Sequence, residues 1–173
     1  AGNVIGGGDW ANYRLIPDCI KALVSNKNII LRNPQSIRPW QHVLESLSGF
    51  LLVGSKLDKN SKKFSGPWNV GPSPKNILSV ESVVNKIIHQ WGSGKIIIKK
   101  NNLHEAKLLK LNSSKIFNLM KWKSTYSYND SIEKTVDWYL TYYENKKTIQ
   151  NFTLLQIEDY VKQAQKTKNG WIK

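Results

Sequence analysis

Ala1-Gly2-Asn3-Val4-Ile5-Gly6-Gly7-Gly8-Asp9-Trp10 reads as the close of a buried strand followed by a glycine turn, and this stretch decides the class of fold. Val4 and Ile5 are apolar and β-branched, and the glycines after them can take positive φ without steric cost. The run lacks the strand, GxGxxG turn and helix context of a dinucleotide fingerprint, so it is read as a turn. A strand preceded by only two residues, in a chain whose single methionine is Met120, is expected to begin in the middle of a fold.

Outward from the turn, strand and helix signals alternate. Ile16, Ile20 and Leu23 recur at helical spacing over about 15–24, with Pro17 allowed if it sits in the first turn, where its missing N–H is not needed. Asn28 to Arg32 is a short strand ended by Asn33-Pro34, and a helix follows over about 44–57 with Leu47, Leu51, Gly54 and Leu57 on one face. Trp68-Asn69-Val70 is expected as a strand stopped by Gly71-Pro72. Ser79 caps a helix over about 80–91 that Gly92 ends, and Lys95 to Lys99 is a strand by β-branched content. Ser113 is expected to cap a short helix to Met120. Ser127-Tyr128-Asn129-Asp130 is a capping box with aspartate in place of glutamate, opening a helix with Ile132, Val136, Tyr139 and Tyr143 on one face. A last amphipathic helix is expected over about 154–165. The alternation makes this an α/β protein.

Composition narrows the function classes. At 173 residues, 40% hydrophobic and with seven tryptophans, the chain can bury a real core. One cysteine, Cys19, allows no internal disulfide and suits a reducing, cytoplasmic setting. No apolar run reaches the roughly 18 residues that would span a bilayer, so no membrane partner is expected. The formal charge of +14 raises nucleic-acid binding, yet the lysines are scattered along the chain, as on a solvated surface. A positive field also steers small anionic ligands. Three histidines and one cysteine show no metal-ligand spacing, and no P-loop or Gly-x-Ser-x-Gly elbow occurs.

Polar residues at strand ends remain as site candidates, since ligands of open α/β sheets bind where strands terminate. Asn3 is at the end of the first strand, Arg14 follows the glycine turn, Arg32 ends the second strand and Arg38 opens Arg38-Pro39-Trp40-Gln41-His42-Val43. Arginine in a chain that otherwise prefers lysine suggests that the planar fork, which grips phosphate through two parallel hydrogen bonds, is needed. The bland alternative is a set of surface ion pairs worth roughly 0–1 kcal/mol each.

These residues carry a resemblance. Asn3 to Trp10, Arg14-Leu15-Ile16-Pro17-Asp18, Arg32-Asn33-Pro34, Arg38 to Glu45, Trp68 to Pro72, His104-Glu105-Ala106, Leu111 to Lys115, Thr135 to Tyr139 and Thr153 to Tyr160 resemble the extended short-chain dehydrogenase/reductase family, on the side of its nucleotide-sugar dehydratases. The Arg-Pro-Trp-Gln-His-Val run, after Arg32-Asn33-Pro34, points to the CDP-sugar branch. The resemblance implies the C-terminal part of a Rossmann-like enzyme. Residues 1–10, 37–57 and 67–71 would complete the Rossmann-like sheet. Residues 11–36 and 72–173 would form a smaller mixed α/β substrate-binding lobe.

For the parent enzyme the resemblance implies a tightly bound NAD that takes hydride from C4 of the sugar. Water is then lost across C5 and C6, and the hydride returns to C6. The glycine-rich NAD fingerprint and the family's Tyr-x-x-x-Lys pair find no match here; Tyr142 with Lys146 has the spacing but lies on a helix where the family has no catalysis. No catalytic or cofactor residue is therefore carried over, and this chain alone is expected to be inactive. Substrate contacts are carried over: Asn3 near the diphosphate, Arg14 and Leu15 along the nucleotide, Ile30 to Arg32 at the cytosine edge and Arg38 clamping the diphosphate. Asn69 would sit near the substrate, with His104 and Glu105 toward the ribose or phosphate. For Asn69 a plain turn role stays equally open, and for His104 simple exposure does. The parent is expected to be a homo-oligomer. Another nucleotide-sugar dehydratase or epimerase, or a basic RNA-binding module, are the rival readings.

Overall fold

Short apolar strands and amphipathic helices alternate along the chain in the computed structural model, which describes residues 1–73, 78–99 and 107–172. The strands are β1 (Asn3–Ile5), β2 (Ile29–Leu31), β3 (Ile37–Arg38), β4 (Trp40–His42), β5 (Leu78–Ser79) and β6 (Ile96–Ile98). The helices are α1 (Leu15–Val24), α2 (Val43–Lys59), α3 (Ser61–Phe64), α4 (Val80–Trp91), α5 (Ser114–Met120), α6 (Tyr128–Glu144) and α7 (Ile149–Lys166). β1 runs parallel to β4 with Asn3 opposite Trp40, and β2 runs parallel to β6 with Ile30 opposite Ile97. β3 pairs antiparallel with β5, and on its other side Ile37 exchanges backbone bonds with Lys107 and Leu109.

Local chemistry explains the helix ends. In α1 Pro17 sits in the first turn, as its missing donor requires. Ser79 accepts from the Ser82 amide at the start of α4, and Gly92 ends that helix in the left-handed region at φ 89°. The aspartate capping box of α6 is present: the Asp130 amide donates to the Ser127 hydroxyl at 3.2 Å and the Ser127 amide to the Asp130 carboxylate at 2.8 Å. The α5 cap differs from expectation. Asn112 Oδ1 accepts from the Ser114 amide at 2.9 Å, while the Ser113 hydroxyl instead donates to the Gly71 carbonyl at 3.3 Å.

Two clusters form the core. The larger joins Ile16, Ile20 and Leu23 of α1 to Val83, Val84 and Ile87 of α4 and to Ile132, Val136 and Tyr139 of α6. Each such aliphatic side chain contributes roughly 1.5–3 kcal/mol on burial. Cys19 is packed into this cluster, and burial pushes its thiol up to about 12. The smaller cluster gathers Leu52, Phe64, Val70, Ile116, Met120 and Trp122.

Two expectations are corrected, and one helix face is defined. Residues 68–70 form no strand: the Val70 carbonyl accepts from the Gln41 side chain at 2.9 Å, and the Trp68 indole donates to the Phe64 carbonyl at 2.8 Å, so local side-chain bonds replace a ladder. On α2, Leu47 and Leu51 are 46% and 75% exposed while Leu57 packs against the smaller cluster, and the opposite face carries a buried polar network built on Glu45 and Ser48. α7 begins five residues earlier than expected, at Ile149 rather than 154, after a single 3-10 turn over Lys146–Thr148.

Candidate nucleotide-binding cleft

The turn from β1 to α1 and the strands β2 and β3 enclose a cleft of about 660 Å³, a size suited to a small-molecule ligand. Asn3, Arg14, Leu15, Ile30, Arg32 and Arg38 all line it. Arg14, Arg32 and Arg38 are the three arginines of the whole sequence, and all converge there, among 26 basic residues of which the rest are lysine. Random surface placement would scatter them.

Each side chain is positioned by its element. Asn3 is half-buried in β1, opposite Trp40 of β4. Arg38 is 9% exposed, held in β3 between β5 and the 107–109 stretch, and its Nη1 donates to the Ile37 carbonyl at 2.9 Å. Arg14 is the N-cap of α1 and its side chain is 65% exposed, with Nη1 3.4 Å from the Asp9 carboxylate. No side-chain hydrogen bond caps α1, and Leu15 and Ile16 of its positive end line the cleft. Ile29 and Leu31 bond to β6 through the Lys95 carbonyl and the Lys99 amide, so the Ile30 N–H and C=O point to the opposite edge of β2. That edge is a donor and acceptor pair of the kind that reads the rim of a flat heterocycle.

One described candidate, Asn69, does not join them. Asn69 is exposed away from the cleft, its amide donating to the Asn112 carbonyl at 3.4 Å, so the turn role fits what it touches. His104 and Glu105 lie outside the described residues. Sequence reasoning passed over Asp9, Tyr13 and Asn33, which also line the cleft. Asp9 was legible as the carboxylate five residues before Arg14, whereas nothing in the sequence signals that Tyr13 takes φ 62°.

Groups with perturbed protonation lie elsewhere. Glu45 is 1% exposed and burial raises its carboxyl from 4.5 to about 7, against the Thr125 and Tyr126 amides and the Tyr160 hydroxyl, which donate to it. Burial lowers His42 from 6.5 to about 4, with Lys134 adding to the effect. Neither lines the cleft, so both are structural groups here. Lys146 Nζ sits over the Tyr142 ring at 5.5 Å, within an aromatic cluster that does not line the cleft. Among the described residues no cluster could hold a metal ion. No helix among them is long and apolar enough to cross a membrane.

The strand–turn–helix at β1 is also no dinucleotide cradle. In a βαβ nucleotide unit the strand after α1 would lie in the sheet of β1, whereas β2 pairs with β6 instead. These residues do not fit a nicotinamide cofactor.

No family profile matches the chain. It is 43% identical over 141 residues to the CDP-glucose 4,6-dehydratase of Salmonella typhimurium, a match covering 80% of this chain and 39% of that one. Among solved structures it is similar to the dTDP-glucose 4,6-dehydratase of Bacillus anthracis in complex with NAD, with TM-score 0.68 and 22% identity over 87% of this chain and 45% of that one. The DesIV dTDP-glucose 4,6-dehydratase of Streptomyces venezuelae, with NAD and TYD bound, gives TM-score 0.69 at 18% identity over 87% and 44%. A UDP-glucuronic acid 4-epimerase of Bacillus cereus gives TM-score 0.67 at 17% identity over 81% and 43%. The chain thus spans about two fifths of the length of the curated relative it matches. Its fold matches part of the fold of these dehydratases and epimerases.

Proposed function

We propose that this chain is the substrate-binding part of a CDP-glucose 4,6-dehydratase, and that its cleft takes the cytidine diphosphate portion of a CDP-sugar. The observation that carries this reading is the convergence of all three arginines, with Asn3, on one cleft beside the uncapped end of α1. Guanidinium forks and helix N-terminal amides are the two protein groups best matched to phosphate oxygens. The free Ile30 edge supports a base at the other end of the cleft: its carbonyl can accept from the exocyclic amine of cytosine, where uracil and thymine present an oxygen. The 43% identity to a CDP-glucose enzyme supports the same nucleotide.

In this reading Arg38 and Asn3 hold the diphosphate, Arg14 and Leu15 lie along the nucleotide, and Arg32 closes the base end. The segments 1–10, 37–57 and 67–71 belong to the larger sheet, and 11–36 with 72–173 to the substrate lobe. The relatives crystallised with NAD support that cofactor for the complete enzyme, where it would exchange hydride with the sugar. The residues of this chain bind and orient the nucleotide.

Calorimetric titration of the 173-residue chain tests the reading. CDP and CDP-glucose are expected to bind more tightly than UDP or dTDP, and Arg38→Lys to weaken CDP by about tenfold through loss of the bidentate fork. Equal affinity for all three nucleotides would remove the cytidine assignment. Tight RNA binding that collapses with added salt would favour the basic-module rival.

A further inference from the structure

We propose that Trp10 and Tyr139 are positioning residues for Arg14, which lock the loop between β1 and α1 so that the guanidinium meets the diphosphate ready-placed. The inference rests on the nucleotide reading of the cleft. Residues 6–14 contain no helix or strand, and the Arg14 side chain is largely exposed, so packing around Arg14 itself does not place it. What places it is the backbone of its loop and the carboxylate of Asp9.

That loop is pinned from α6. The Trp10 ring lies 5.3 Å from Tyr139, 5.0 Å from Tyr142, 6.2 Å from Tyr143 and 6.4 Å from Trp138, four rings of one helix. Beside it the Tyr139 hydroxyl donates to the Asp9 carbonyl at 2.6 Å. The Asp9 carboxylate then accepts from the Ala11 amide at 3.0 Å through one oxygen and from Arg14 at 3.4 Å through the other. Lys21 of α1 ties the far side, donating to the Trp10 carbonyl at 3.1 Å and to Asn12 Oδ1 at 2.7 Å. Asp9 and Arg14 line the cleft but Trp10 does not, so Trp10 reaches a ligand only through them.

The consequence is preorganisation. Ordering a backbone residue costs roughly 1–2 kcal/mol, and a loop left loose in the free protein would charge that cost to binding. The ring anchor settles it in advance. Gly7 belongs to the same device, since it lies flat against Trp138 where a Cβ would collide with the indole.

The test pairs nucleotide titration with amide exchange on the full chain. Trp10→Ala is expected to weaken CDP by about tenfold, Tyr139→Phe by several-fold, and Trp10→Phe hardly at all, because a smaller ring still packs on the cluster. In an Arg14→Ala background, Trp10→Ala should cost almost nothing further, whereas a merely structural role would leave the two losses multiplicative. Exchange of the amides of residues 8–14 should accelerate in Trp10→Ala while α6 stays protected. Multiplicative losses, or unchanged exchange in the loop, overturn the proposal. Should Trp10→Ala fail to fold, the same cycle is run with Tyr139→Phe. If the unmodified chain binds no nucleoside diphosphate, the functional reading falls by itself and the exchange result alone decides whether the anchor exists.

Discussion

At the scale of single residues, the turn after β1 shows how little freedom the site leaves. A Cβ on Gly7 would enter the Trp138 ring, and Trp138 cannot retreat easily because its indole donates to Thr153 at 2.8 Å and its ring stacks on Tyr142 at 5.5 Å. Gly7→Ala is therefore expected to destabilise the chain by about 1–3 kcal/mol, the usual cost of overpacking. A thermal melt unchanged within error would refute that collision. The glycine turn and the scarce arginines were legible in the sequence because each answers a sharp chemical demand, positive φ at Gly8 in one case and a planar fork in the other, whereas the close approach of Trp138 to Gly7 was not. Asn69 was not, since an asparagine at a strand end and one in a turn look alike until its partner, the Asn112 carbonyl, is seen.

At the scale of elements, periodicity and caps located α1, α2, α4, α5, α6 and α7, while β3, β4 and β5 escaped because two or three residues carry no period. Direction was harder than existence. The inward face of α2 holds Glu45, Ser46, Ser48, Gly49 and Leu52, so the leucine stripe alone could not say which face is buried where a carboxylate has the buried partners. That carboxylate yields a prediction. Glu45 stays protonated in the folded chain up to about 7 while the unfolded chain ionises near 4.5, so its contribution to stability is fully present below 4.5 and lost as pH rises to 7. His42 has the opposite sign: held neutral down to about 4, it contributes stability above 6.5 that is lost on acidification. Between 4.5 and 6.5 the two slopes oppose. Glu45→Gln removes one of them, so the stability of the variant relative to the parent chain should rise with pH from 4.5 to 7, by about 1.4 kcal/mol per unit at most. Lys134, Asp159, Tyr126 and Tyr160 surround the pair and stay in both proteins, which cancels them from the difference. Urea midpoints of the two proteins at matched pH measure it, and a difference flat across this range would show that Glu45 is ionised throughout.

At the scale of the whole molecule, two exposed features bear on association. β1 pairs with β4 alone among the described residues, so one parallel strand edge is open, although parallel sheets are normally covered on both faces and edges. Above it α2 presents Leu47, Phe50 and Leu51 at 46%, 49% and 75% exposure, a contiguous apolar stripe of the kind that soluble monomers keep small. The net charge of +14 opposes association at long range, but salt screens it within about 10 Å at 0.1 M, shorter than the separation at which the charges would act across a protein surface. Hydrophobic contact is not screened. The chain by itself is therefore expected to associate, and more strongly as salt is raised, with Leu51→Lys shifting it toward monomer and leaving CDP binding intact because Leu51 is remote from the cleft lining. Sedimentation velocity at low and high salt separates the possibilities. A monomer at every salt concentration, unfolding in one cooperative urea transition, would mean that the strand edge and the leucine stripe are tolerated as they stand.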